Sequence, residues 1–181
     1  MRIWGILKTA YTKLYKTINA VISDNKTACR FLLLFGLFSL CFFTFFFVIQ
    51  SNLDFLLFWT ADATGYISNL IGLHVLINGT VLSLGTMDLE IIPECTGIFA
   101  IMIIAASILA YPTEIKKKAI GILFVVPLIL FLNVARLLFL VYIGKYHVDL
   151  FDFAHSFFWQ GSFIIFIIFA WFLWIEFVVN R

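Results

Sequence analysis

The chain has 181 residues, of which 64% are apolar, 19% aromatic and only 12% charged, with a formal net charge of +2. Soluble domains average about 45–50% apolar and about 25% charged residues, so a water-facing surface cannot be assembled from this composition. Intrinsic disorder, a disulfide-stapled secreted module and a nucleic-acid binder are excluded by the same arithmetic, and the expected class is an all-α polytopic membrane protein.

Taken in chain order, residues 1–30 read as a cytoplasmic amphipathic segment. Ile3, Ile6, Leu7, Ala10, Tyr11, Leu14 and Ile18 recur at helical spacing, with Lys8, Lys13 and Lys16 off that face. Residues 31–50 supply a first transmembrane helix without a charge, at the length of about 20 residues that a bilayer requires. No small-residue cleavage site follows, so it is not expected to be a removed signal peptide. Residues 51–95 read as an extracytoplasmic interfacial helix and hairpin. Within them, Leu53–Leu73 is interrupted by Asp54, Asp62, Ser68 and Asn69 and is expected to lie on the outer leaflet. Next, Val75-Leu76-Ile77 and Thr80-Val81-Leu82-Ser83 flank Asn78-Gly79, a dipeptide suited to a type I′ hairpin turn, and Met87–Ile92 offers a third strand. Three further transmembrane helices are expected at 96–111, 119–142 and 156–179, giving about four in a single domain spanning 1–181.

Ten of the 12 Lys and Arg residues lie before the first span, between the second and third (Lys116–Lys118), or at Arg181. The positive-inside rule makes that side cytoplasmic. The stretch 51–94 holds no Lys or Arg but carries Asp54, Asp62, Asp88, Glu90 and Glu94. A crossing at 53–73 would move Lys116–Lys118 outside, which is the reason for reading that stretch as interfacial. Both termini are then expected inside the cell, in the cytoplasmic (plasma) membrane.

Three residues carry the chemistry. Cys95 stands in Pro93-Glu94-Cys95-Thr96-Gly97, directly before an apolar helix. A helix N-terminus is partially positive and lowers a thiol's pKa, and its free amides receive an oxyanion. Thr96 is a suitable cap for that helix, and Gly97 permits close approach of a backbone or substrate. Arg136 stands in Asn133-Val134-Ala135-Arg136, about 26 Å along its helix. An intramembrane arginine costs at least about 2.5–3.5 kcal/mol and marks a functional site by default; the alternative is a side chain snorkelling to headgroups. Asn133, one turn earlier, shares its face and is placed to orient the guanidinium. His155 directly precedes the last span, near the outer boundary. The second span begins outside, the third ends outside and the fourth begins outside. Cys95, Arg136 and His155 therefore converge at similar depth, and a thiol, a cation and an imidazole are the parts of acyl transfer. No metal or cofactor is expected: no two of His74, His147 and His155 share a helix at ligand spacing.

On Glu94-Cys95-Thr96-Gly97, Asn133-Val134-Ala135-Arg136 and His155, in that order and with a basic loop between the first two, the sequence resembles the exosortase/archaeosortase family of membrane cysteine transpeptidases, as a compact exosortase-type member. The resemblance implies a sorting enzyme. Its partners would be the membrane-anchored C-terminal sorting signals of substrate proteins, the lipid bilayer and an acyl acceptor. Cys95 would be the nucleophile, Arg136 the oxyanion or substrate stabiliser and His155 the general acid/base, with Glu94, Thr96, Gly97 and Asn133 as supporting or substrate-binding residues. The competing reading is a non-enzymatic membrane binding or assembly protein in which Arg136 holds an anionic lipid or a partner.

Overall fold

The computed structural model describes residues 25–180; residues 1–24 of the expected amphipathic segment lie outside the described residues. Helix α1 (Lys26–Ile49) leads through a 3₁₀ turn into α2 (Asp54–Leu70). Three short strands follow, β1 (Leu76–Asn78), β2 (Val81–Ser83) and β3 (Asp88–Glu90). A 3₁₀ turn at Pro93–Thr96 then precedes α3 (Ile98–Ala110), α4 (Ile115–Tyr146) and α5 (Val148–Val179). Within α5 the backbone widens to π geometry at Ala154–Phe158 and Ile175–Val179.

Helices α1, α4 and α5 are long and apolar enough to cross a membrane. Helix α3 has 13 residues, which at 1.5 Å each rise about 20 Å against a hydrocarbon core of about 30 Å. The four crossings expected from hydropathy are therefore three long spans and one short apolar helix. Leu33, Leu123 and Phe157, each at least 74% exposed, are among many exposed large apolar side chains, as a bilayer-facing surface requires. The chain is an integral membrane protein.

Ring contacts fix the helix directions. Phe43 and Phe46, late in α1, pack on Phe99 at the start of α3, with ring centroids 5.8 and 5.0 Å apart. Phe31, early in α1, meets Tyr111 just past the end of α3 at 6.3 Å. Helices α1 and α3 are thus antiparallel. Likewise α4 and α5 run antiparallel: Trp174 Nε1 donates to the Lys117 carbonyl at 3.0 Å, while Phe139 meets Trp159. At Gly121 α4 and α5 are in close contact, because a Cβ there would strike the Trp174 indole. Pro127 lies inside α4 and leaves one backbone bond of that helix unmade.

Helix α4 begins earlier than the expected residue 119 because Lys116–Lys118 continue the helix. Two of these lysines also satisfy carbonyls at neighbouring helix ends: Lys117 Nζ donates to Val179 O at 2.7 Å and Lys118 Nζ to Leu109 O at 2.5 Å.

Helix α2 is amphipathic in an unusual sense. Its buried residues are Ala61, Thr64, Gly65 and Ser68, whereas Phe55, Trp59 and Tyr66 face outward. Small residues at i, i+3, i+4 and i+7 let its backbone close on α4 and β1, leaving the aromatics for the surroundings.

The strands form an antiparallel sheet in the order β1-β2-β3. Asn78 pairs with Val81, so the corner of the hairpin is Gly79-Thr80 and not the expected Asn78-Gly79. Gly79 has φ of 64°, and His74 is the one non-glycine residue at positive φ among those described. A single positive φ at the first corner position is the type II′ pattern rather than type I′. Thr86 Oγ1 donates to Gly144 O at 2.7 Å, and Lys145 Nζ donates to the Leu73 carbonyl. These bonds tie the sheet and the end of α2 to the end of α4.

Candidate active site

The site is built on the turn Pro93–Thr96. Pro93 opens it, and the Cys95 amide donates to Ile92 O at 2.8 Å. The expected cap, Thr96, sits one residue ahead of the observed N-cap, which is Gly97. Passing from the 3₁₀ turn to the axis of α3 requires φ of 79° at residue 97, a conformation glycine adopts without steric cost. Thr96 still serves the helix start, since its Oγ1 donates to Pro93 O at 2.7 Å and accepts from the Ile98 amide at 3.3 Å.

Helix α4 then closes on this turn with two side chains one helical turn apart. Asn133 Nδ2 donates to the Cys95 carbonyl at 2.7 Å, and Arg136 donates through a terminal nitrogen to the Glu94 carbonyl at 3.5 Å. A Cβ on Gly97 would lie 3.2 Å from Asn133 Cγ, so the close approach that Gly97 permits is that of Asn133. Glu94 takes part through its backbone; its side chain is exposed. Asn133 is thus placed to hold the cysteine's backbone rather than to hydrogen-bond the guanidinium.

Arg136 is only 9% exposed and Cys95 and Asn133 only 2% each. A buried guanidinium demands a compensating charge or a full set of acceptors. Among the described residues no carboxylate forms an ion pair with Arg136, and its Nε and the Asn133 Oδ1 have no hydrogen-bond partner. The Phe163 ring on α5 lies under the guanidinium, 5.9 Å from its carbon to the ring centroid. Arg136 thus reaches the Cys95 turn through the carbonyl of the preceding residue, Glu94.

His155 lies in the π-helical stretch of α5, half-buried, with its ring stacked on Phe151 at 5.8 Å and an interplanar angle of 4°. It is in electrostatic reach of both Arg136 and Asp152. The structure thus brings together Cys95, Thr96, Gly97 and Asn133 with Arg136, while the ring contact of His155 is with Phe151. Phe151 and Phe163 are members of this neighbourhood that the sequence did not point to. Phe151 is four residues before His155 on a helix and in principle readable, but among 23 Phe residues neither carries a distinguishing signal.

All three cysteines are free. Among the described residues no group of three or more His, Cys, Asp and Glu side chains is arranged to hold a metal ion.

Comparison with protein families matches residues 26–175 to the family described as transmembrane exosortase (Exosortase_EpsH). No curated protein and no solved structure matches the chain.

Proposed function

We propose that this chain, which belongs to the transmembrane exosortase family, is a cysteine transpeptidase that cleaves the membrane-anchored C-terminal sorting tail of surface or secreted proteins. The observation that carries the reading is the double grip of α4 on the Cys95 turn, with Asn133 on the Cys95 carbonyl and the buried, unpaired Arg136 beside it. A buried arginine kept for structure alone is ordinarily paired with a carboxylate; this one bonds the backbone of the residue before the cysteine.

In the proposed reaction the Cys95 thiolate attacks the scissile carbonyl carbon, forming a C–S bond and placing negative charge on the carbonyl oxygen. Arg136 stabilises that oxyanion. His155, as general acid, gives a proton to the departing amine as the C–N bond breaks, leaving a thioester on Cys95. An acceptor amine, or water, then attacks the thioester, and His155 takes up its proton as the thiolate is released. Glu94 contributes its carbonyl, Thr96 and Gly97 the shape of the turn, and Asn133 its position. No cofactor enters these steps.

The distribution of Lys and Arg supports placing both termini in the cytoplasm and the Cys95 end on the extracytoplasmic face. A substrate helix would arrive laterally through the bilayer and present its cleavage motif where it leaves the membrane.

The experiment is C-terminal mass spectrometry of membrane and surface proteins from cells expressing the wild type or Cys95→Ala at matched levels. Hydrophobic tails retained only in the variant are the expected result, and the masses of the wild-type C-termini separate transfer from hydrolysis. Identical profiles with substrates present would overturn the reading and leave Arg136 as a binding residue.

A further inference from the structure

At the end of the bundle opposite Cys95, a cavity of about 650 Å³ opens between the start of α1 and the loop joining α3 to α4. Its wall carries three cations, Lys26 and Arg30 from one face of α1 and Lys118 from α4, against one carboxylate, Glu114. Lys26 and Arg30 are four residues apart and therefore neighbours on the helix surface. Both are exposed, and neither forms an ion pair among the described residues. Lys118 gives one proton to Leu109 O and keeps two more donors.

Two helix starts add to this positive charge. Helices α1 and α4 both begin at the cavity, and neither has an acidic residue in its first turn, although the N-cap of α4 is Glu114; each turns the positive end of its dipole towards it. The floor is apolar and aromatic: Phe31 stacks on Trp171 at 5.8 Å, and Tyr111 meets Trp171 and Trp174 edge-on at 6.0 and 5.6 Å. An adjoining cavity shares Lys26, Phe31 and Tyr111 and extends to Trp171.

A cationic rim above an aromatic floor, at the level where three apolar helices begin or end, matches an amphiphile with an anionic head. We propose that this cavity is a binding site for an anionic phospholipid, whose phosphate is held by Lys26, Arg30 and Lys118 and whose glycerol and upper acyl chains rest on Phe31, Tyr111 and Trp171. A zwitterionic lipid would bring its own cation into the same rim and bind less well. The site is independent of the chemistry at Cys95, from which α3 separates it.

The test uses the full-length protein reconstituted in phosphatidylcholine vesicles doped with phosphatidylglycerol, with retained lipid counted by native mass spectrometry. Wild-type protein is expected to retain phosphatidylglycerol in preference to phosphatidylcholine. Each cation at a membrane surface is worth about a fivefold change in lipid binding, so Arg30→Gln should weaken retention about fivefold and Lys26→Gln with Arg30→Gln about thirtyfold. Lys116→Gln removes the same charge at an exposed residue outside the cavity wall and should change little. Equal retention of the two lipids, or equal losses from Arg30→Gln and Lys116→Gln, would overturn the proposal. Displacement of the lipid by soluble glycerol phosphate at low concentration would also overturn it, by identifying a site for free anions. Far-ultraviolet circular dichroism of each variant confirms that helicity is retained.

Discussion

The two ends of the helix bundle solve opposite problems with the same residue type. At one end Arg136 is buried, touches a backbone carbonyl and an aromatic ring, and has no acidic partner among the described residues. At the other end Arg30 is exposed on the wall of a wide cavity beside Lys26 and Lys118. The exposed cations cost little to keep because water and headgroups solvate them. The buried one is held by the packing of α4 against the Pro93–Thr96 turn, and such a charge is retained against a desolvation penalty of several kcal/mol only where something uses it. Position along the bundle, rather than charge itself, separates the arginine proposed to react from the one proposed to anchor.

The largest effect that would sharpen this contrast comes from Cys95→Ala, which should abolish tail processing while protein abundance stays at the wild-type level, read by C-terminal mass spectrometry and immunoblotting. Arg136→Lys keeps the charge but loses the planar fork. Processing should fall about 10²–10³-fold, the cost of losing one aligned oxyanion donor, with abundance again unchanged; near-full activity would mean that a point charge suffices. His155→Gln should slow processing about 10²–10⁴-fold. Asn133→Ala removes the bond to the Cys95 carbonyl and leaves that buried acceptor unpaired, a loss of about 1–3 kcal/mol. It should appear as a lower unfolding temperature in detergent together with partial loss of processing. Smallest of all, Lys26→Gln with Arg30→Gln should leave processing at its wild-type level. A processing defect as large as that of Arg136→Lys would break the distinction between the two ends.

The sequence shows its architecture at the level of polarity and hides it at the level of geometry. Charge-free runs mark the long helices because a bilayer tolerates little else, and their bounds shift by a few residues where lysines extend a helix to meet a neighbour's carbonyls, as at Lys117 and Lys118. Hydropathy over 96–111 hides that Gly97 breaks the helix, because a positive φ leaves no trace in an apolar average. The hairpin was legible and its corner was not: Asn78-Gly79 and Gly79-Thr80 are both plausible corners, and pairing with β3 at Val81↔Glu90 settles the register from outside the hairpin. At the site, counting helices across a membrane already sets Arg136 and its helix level with the Cys95 turn, as the bonds from α4 to that turn require. That Asn133 grips the Cys95 carbonyl depends on the rotation of α4 about its axis, which one apolar sequence without a polar face does not encode.

Helix α3, which carries the chain from the Cys95 turn to Tyr111, rises about 20 Å within a hydrocarbon layer of about 30 Å. If the Tyr111 end sits at headgroup level beside its neighbouring lysines, the Cys95 turn lies short of the opposite boundary. Water would then be scarce at the sulfur, whereas an amine carried on a lipid or a membrane-bound chain could approach by diffusing in the plane. The shortness of one helix would in that way set the partition between two competing fates of an acyl group, favouring capture by a neighbour over loss to solvent.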